Sequence, residues 1–147
     1  MKVNTLTIRE MKEEDFELVM AWWGIPEFRR FTTTTTQPEW NNLISSLKMN
    51  NRRDYMIIYN NRRIGRTCLI DHGNFEELSV YIGEISLHGQ GLGKQAIQAT
   101  LQQAVKPVRS KVRYDNTLSL KAFQSVGFKP AEQEGEWIWL YYHKVHV

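Results

Sequence analysis

Alternation of hydrophobic and polar residues recurs along the chain, and each alternating segment predicts a β-strand. In residues 75–82 the apolar positions are Leu78, Val80 and Ile82, and the polar positions are Glu77, Ser79 and Tyr81. Successive side chains of a strand point to opposite faces, so one face of this strand is apolar and the other is suited to line a cleft. The other predicted strands are residues 5–9, 55–59, 64–71, 111–114 and two after Gly127, the last being 136–143.

Apolar residues spaced three or four apart predict four helices. They begin at the acidic residues 13–15, at Thr36, after Gly91 and at Asn116, and they end near residues 23, 49, 104 and 126. Thr36, Pro38 and Glu39 form a helix-start signature, whereas the threonine-rich residues 25–36 predict a loop. The order of these elements predicts one mixed α/β domain over residues 1–147.

Composition agrees with one folded domain in a reducing compartment. The 147 residues are 41% hydrophobic, enough for a core. Cys68 is the single cysteine, which excludes an intramolecular disulfide and a multi-cysteine zinc site; we expect it to be a small buried hydrophobe. The chain has neither an export signal nor a membrane-length apolar run, so we expect a cytoplasmic protein without membrane contact.

Net charge narrows the range of ligands. Nineteen Lys and Arg residues against sixteen Asp and Glu residues give a formal charge of +3. This excess is small for a nucleic-acid-binding protein, so we expect no nucleic-acid partner. A formal charge of +3 is adequate for binding a phosphorylated small molecule.

A glycine-rich segment, HGQGLGK from His88 to Lys94, stands where a predicted loop enters a helix. Glycines let backbone N–H groups converge, and the helix N-terminus adds the positive end of its dipole. Lys94 adds a cation. The segment therefore predicts either a pyrophosphate site or a plain helix-entry turn. It lacks the acidic residue of a dinucleotide-binding fingerprint and the GKS or GKT of a P-loop.

The same segment resembles the acetyl-CoA signature of the GNAT superfamily of N-acetyltransferases, in which Gln or Arg is followed by x-x-G-x-G or x-x-G-x-A. His88 stands where the family has Gln or Arg. A later stretch, YDNTLSLKAFQSVGF, resembles the family's N-x-x-S motif ending in G-F, through Asn116, Ser119, Gly127 and Phe128. The likeness extends from Leu6 to Tyr142.

The second motif also allows a reading from helix geometry. Asn116, Ser119 and Phe123 share one face of the predicted helix, which we expect to touch a ligand. Leu118, Ala122 and Ser125 belong roughly to the opposite face, which we expect to pack. Asn116 either caps the helix alone or caps it and contacts the cofactor.

The resemblance implies a GNAT-like fold, a mostly antiparallel sheet of about seven strands that splays between strands 4 and 5, with about four helices. It implies acetyl-CoA as co-substrate, no metal, and an amine-bearing acceptor; a homodimer is a possible assembly. The implied cofactor-binding residues are Tyr81, Ile82, Gly83, His88, Gly89, Gln90, Gly91, Leu92, Gly93, Lys94, Asn116, Ser119 and Phe123.

Catalysis requires a base for the amine and a proton donor for the departing thiolate. The resemblance makes Glu77 the first candidate base, with Glu84 and Glu136 as lesser ones. Many family members use a tyrosine donor seven residues after the motif asparagine, but Phe123 stands there. The motif serine has this role in the ribosomal-protein N-terminal acetyltransferases, so the resemblance implies Ser119 as the donor, with Tyr81 and Tyr114 as alternatives. Ser119 otherwise only bonds to the cofactor or is a solvated helix residue.

The resemblance points to an enzyme that acetylates a primary amine by direct attack, without a covalent enzyme intermediate. The first acceptor hypothesis is a small molecule such as an amino sugar. The alternatives are a protein N-terminus, as in the ribosomal-protein acetyltransferases, and a non-catalytic acyl-CoA-binding domain. An aromatic group that includes Trp22, Trp23, Phe28, Phe31 and Trp40 is expected to supply both core and acceptor pocket.

Overall fold

Seven strands form one sheet in the computed structural model, which describes residues 5–25, 45 and 50–143. The strands are β1 (Leu6–Glu10), β2 (Arg52–Tyr59), β3 (Arg62–Asp71), β4 (Glu76–Ile82), β5 (Val108–Arg113), β6 (Phe128–Glu134) and β7 (Trp137–Tyr142). Their order across the sheet is β1-β2-β3-β4-β5-β7-β6. All neighbours are antiparallel except β4 and β5. The predicted mixed and mostly antiparallel sheet is confirmed.

Three α-helices belong to the described residues: α1 (Phe16–Trp23), α2 (Leu92–Leu101) and α3 (Thr117–Val126). Short 3-10 turns precede α1 at Glu13–Asp15 and α2 at Ile85–Leu87. The predicted loop 25–36 and helix 36–49 lie outside the described residues, apart from Ile25 and the helical Ser45. Strand β5 begins three residues before its predicted start at Lys111, which adds Arg109 to the strand.

The helices cover different faces of the sheet. The core cluster beneath α2 and α3 includes Leu78, Ile97, Val112, Phe123 and Leu140. On the other face, a second cluster joins α1 to Met56 of β2. Strand β4 therefore has Leu78 under α2 and α3, while Glu77 and Tyr81 lie on the opposite face, as the alternation predicts.

Glu76, the first residue of β4, anchors the start of this strand. Its side chain is almost fully buried, and Oε2 accepts hydrogen bonds from the backbone N–H groups of Val105 (2.8 Å) and Lys106 (3.0 Å). Oε1 accepts from Arg53. These bonds tie β4 to the segment that leads into β5, directly beside the residues where the two strands pair.

We expect Glu76→Ala to lower the free energy of unfolding by about 2 kcal/mol, because two backbone amides lose a charged, buried acceptor and Arg53 loses its carboxylate partner. Urea titration measures this change. The matched control is Glu17→Ala, an exposed glutamate of α1, which should shift stability by less than about 0.5 kcal/mol. Equal urea midpoints of unfolding for the two variants would show that Glu76 does not anchor β4.

Candidate functional site

Strands β4 and β5 pair at only two positions and then separate. The pairs are Glu76 with Val108 and Glu77 with Arg109. The Ser110 hydroxyl adds one bond by donating to the carbonyl of Leu78 at 2.8 Å. Beyond it, β4 pairs only with β3, as far as Ile82, and β5 pairs only with β7. The sheet thus has a V-shaped opening at the predicted place, with the backbone edge of β4 facing it.

The glycine-rich loop lies at the wide end of this opening. Gly89 and Gly91 have φ values of 81° and 78°, and no atom lies within 4 Å of a Cβ built on either residue. Among the described residues, none of the backbone N–H groups from Gly89 to Lys94 is seen to donate to a protein acceptor. These groups precede or begin α2, so the loop combines free donors with a helix N-terminus and is suited to a phosphate group.

Three side chains fix the loop while leaving those amides free. Nε2 of His88, which replaces the family's Gln or Arg, lies 2.7 Å from the carbonyl oxygen of Ile82 and must donate to it. Gln90 donates its side-chain amide to the carbonyl of Ser86 (3.3 Å), and Leu92 is buried in the core. Lys94 is exposed at the start of α2. His88 thus ties the loop to the end of β4.

The end of β4 supplies fewer free backbone hydrogen-bonding groups than the resemblance implies. The N–H of Gly83 donates to the carbonyl of Ile64 (2.7 Å), so this amide is not available to a ligand. A Cβ on Gly83 would lie 2.2 Å from the ring of Trp22, which explains the glycine. Trp22 and Trp23 are buried core residues, whereas Phe28, Phe31 and Trp40 lie outside the described residues.

Tyr81 points away from α2 and packs against Trp23, with ring centres 5.9 Å apart. Burial raises the pKa of Tyr81, so the phenol keeps its proton at neutral pH.

Helix α3 begins at Asn116, whose Oδ1 accepts from the N–H of Ser119 (3.3 Å) and caps the helix. Ser119 is half-buried. Phe123 is 2% exposed and lies edge-on to Phe128 in the core, whereas Leu118 is 57% exposed. The expected faces were therefore wrong for Phe123, which packs inward, and for Leu118, which faces solvent, whereas Ala122 packs against the core as expected. Contact of Phe123 with a cofactor stays a prediction.

Glu77 lies at the narrow end of the opening, and its Oε1 is 3.0 Å from Nε2 of His72. The two lesser base candidates lie elsewhere. Glu84 is 3.8 Å from Arg62, and Glu136 is ion-paired with Arg113 at 3.1 Å. Of the three carboxylates, Glu77 is the one placed where β4 and β5 part.

Buried ionic groups lie beside Tyr81 on the α1 face. Asp54 accepts from Arg52 (2.9 Å) and Arg66 (2.8 Å), and Nε of Arg66 has no hydrogen-bond partner. Burial raises the pKa of Cys68, so its thiol stays neutral and is a poor nucleophile. The sequence pattern did not reveal this cluster, because the predicted strand began at Tyr55 and left Arg52 and Asp54 outside it. The available signal was their spacing, since residues two apart share one face of a strand.

A second missed group adjoins Glu77. Arg109, its partner across β4 and β5, lies against the aromatic rings of Phe75 and Tyr141. The predicted strand began at Lys111 and so omitted Arg109.

Within the described residues, no group of three or more His, Cys, Asp and Glu side chains is placed to hold a metal ion. No helix of the described part is long and apolar enough to cross a membrane.

Comparison with known proteins agrees with this geometry. Residues 5–129 match the family model of the acetyltransferase (GNAT) domain. An uncharacterised protein of Methanocaldococcus jannaschii is 28% identical over 92% of this chain, and the match spans 31% of that protein's length. The chain thus corresponds to about a third of this longer relative.

Solved structures show the same fold. A domain from Methanocaldococcus jannaschii matches with a TM-score of 0.84 and 27% identity, covering 95% of this chain and 97% of that one. AAC(6')-Ib, an aminoglycoside acetyltransferase, was solved with paromomycin and acetyl-CoA. It matches with a TM-score of 0.81 and 14% identity over 94% of this chain and 93% of that one.

Proposed function

This chain belongs to the GNAT acetyltransferase family, and we propose that it transfers an acetyl group from acetyl-CoA to a primary amine by direct attack. The observation that carries the proposal is the combination of two features on one ligand path. Free backbone N–H groups from Gly89 to Lys94 lie at the wide end of the opening, and a carboxylate, Glu77, lies at its narrow end.

The residues present fit acetyl-CoA. The amides from Gly89 to Lys94 would hold the pyrophosphate. Between Leu78 and Ile82, whose carbonyls are bonded to Ser110 and His88, the edge of β4 that faces the opening pairs with no strand and would hold the pantetheine arm. Asn116 and Ser119 at the start of α3 would flank the path. Fixing two reactants in one opening converts a bimolecular encounter into a unimolecular step, which is the larger part of the rate gain required.

Glu77 is proposed as the base. A protonated amine has no lone pair, so a proton must leave before nitrogen attacks the thioester carbonyl. One proton of the ammonium passes to Glu77, and the free amine then forms the C–N bond as the C–S bond breaks. The thiolate takes a proton from the hydroxyl of Ser119, the second proton of the nitrogen returns through water to Ser119, and Glu77 releases its proton to solvent. His72, hydrogen-bonded to Glu77, holds the carboxylate in place. The neutral, buried Cys68 supports transfer without an enzyme-bound acyl group.

The proposed acceptor is a small molecule such as an amino sugar. Support comes from the fold shared with an enzyme solved with paromomycin. Ser119 in an N-x-x-S motif favours a protein N-terminus as the second candidate, and Phe123 in place of a tyrosine favours an acyl-CoA-binding domain without turnover. Thiol release with a panel of amines and N-terminal peptides separates the three, since a binding domain releases thiol with none of them.

Substitution of Gly91 tests the cofactor loop. Because no protein atom crowds a Cβ there, the methyl group of Gly91→Ala would project into ligand space and strain a positive φ. We expect isothermal titration calorimetry to show CoA binding weakened at least about tenfold, about 1.4 kcal/mol, because the methyl group meets the diphosphate or the loop leaves the backbone conformation that aims its amides. Gly135→Ala is the matched control, with φ 61° and equal open space in the β6–β7 turn. Equal CoA affinities for both variants would remove the loop from the site.

Substitution of Glu77 tests the base. Glu77→Gln should lower kcat/KM about 10²- to 10³-fold at pH 7, the usual contribution of a positioned base, and leave CoA affinity unchanged. The deficit should shrink as pH rises, since more of the amine is then already unprotonated. Steady-state thiol release from pH 6 to 10 measures both effects. Full activity in Glu77→Gln with loss of activity in Glu84→Gln would reassign the base to Glu84.

A further inference from the structure

Cationic and aromatic side chains form a platform on the sheet beside Glu77. We define this platform by Arg109 and Lys111 of β5, Phe75 of the turn before β4, and Trp139 and Tyr141 of β7. All five of these residues are half-buried. The buried side chains of β5 alternate with them and pack under α2 and α3, so Arg109 and Lys111 lie on the opposite face, which they share with Glu77.

Two aromatic rings hold the guanidinium of Arg109. Its Cζ lies 4.2 Å from the ring centre of Phe75 and 4.2 Å from that of Tyr141. Phe75 in turn meets Trp139 edge-to-face at 6.2 Å. Stacking occupies the faces of the planar group and leaves the N–H donors at its edges, where they can bind a carboxylate or phosphate through two bonds.

Lys111 extends the positive charge along the strand. Its Nζ lies 5.4 Å and 5.6 Å from the ring centres of Trp137 and Trp139. Within the part of the chain that the structure describes, neither Arg109 nor Lys111 has a carboxylate partner, whereas the next cation, Arg113, is paired with Asp115 and Glu136. The platform therefore presents two cations that have no ion-pair partner among the described residues.

Two carboxylates near the platform already accept hydrogen bonds from its aromatic side chains. Glu132 of β6 accepts from the hydroxyl of Tyr141 (2.7 Å), and Glu134 accepts from Nε1 of Trp139 (3.2 Å). Glu77 is bonded to His72. These bonds fix the rings, and none of these carboxylates lies within ion-pair distance of Arg109 or Lys111 among the described residues, so the two cations can bind a ligand anion directly.

We propose that the acceptor amine carries an anionic group, a carboxylate or a phosphate, which Arg109 and Lys111 bind while the amine reaches Glu77. This inference rests on the proposed acetyl transfer and adds its substrate class. Arg109 is the register partner of Glu77 across β4 and β5, so the two ends of one small molecule can reach both side chains. Like-charge repulsion at the same place disfavours amines with several positive charges.

The test compares matched amines on the CoA-bound protein. Glucosamine 6-phosphate is paired with glucosamine, alanine with alaninamide, and spermidine represents a polycation. We expect at least about tenfold higher kcat/KM for the anionic member of one pair, through KM, with spermidine poorest. The pair that shows the preference identifies phosphate or carboxylate. The anionic member should also raise the melting temperature of the protein–CoA complex more than its neutral partner, whether or not turnover occurs.

Two variants make the test specific. Arg109→Gln and Lys111→Gln together should abolish the preference, by lowering kcat/KM for the anionic amine to that of its neutral partner, while CoA affinity is retained. Lys121→Gln, an exposed cation on α3, is the matched control and should keep the preference. Absence of CoA binding or thiol release would refute the proposed function. CoA binding without any preference in melting temperature or kcat/KM, or a preference that survives the double variant, would overturn the anionic acceptor.

Discussion

The separation of β4 from β5 after two residue pairs is the constraint on which the rest of the structure depends. A continuous sheet would bury the backbone groups of both strands in mutual hydrogen bonds, and no ligand could enter between them. Here both strands remain in the sheet because β3 and β7 pair with their outer edges. Glu76 and Ser110 hold the strands together at the narrow end, so the opening has a fixed origin.

The two strands that border the opening, which we call its β4 and β5 arms, present different chemical groups to a ligand. The β4 arm ends in a loop whose glycines free several amides, with His88 tying it back to the strand. The β5 arm presents Arg109 and Lys111 among aromatic rings. Glu77 lies where the arms meet. A diphosphate, a thioester and an amine can therefore be arranged along one path, with positive charge on both arms and the Glu77 carboxylate at the junction.

Local sequence patterns predicted the features that local physics controls. Glycines at alternate positions before a helix and Asn116 at a helix start act within a few residues, and both lie where the patterns put them. The orientation of Phe123 was mispredicted because packing against Phe128, not the spacing of α3 itself, decides that Phe123 is buried. The loss of the Gly83 amide to Ile64 and the pairing of Arg109 with Glu77 depend on strand register, which a single sequence does not contain.

If the ligand enters between β4 and β5 and bonds to the backbone there, CoA must protect the amides of the opening. Hydrogen–deuterium exchange with and without CoA measures those amides directly. We expect CoA to slow exchange in peptides covering residues 79–82 and 89–94 and to leave the β6–β7 turn unchanged. Slowed exchange elsewhere, with no change in these two segments, would show that the ligand does not bind in this opening.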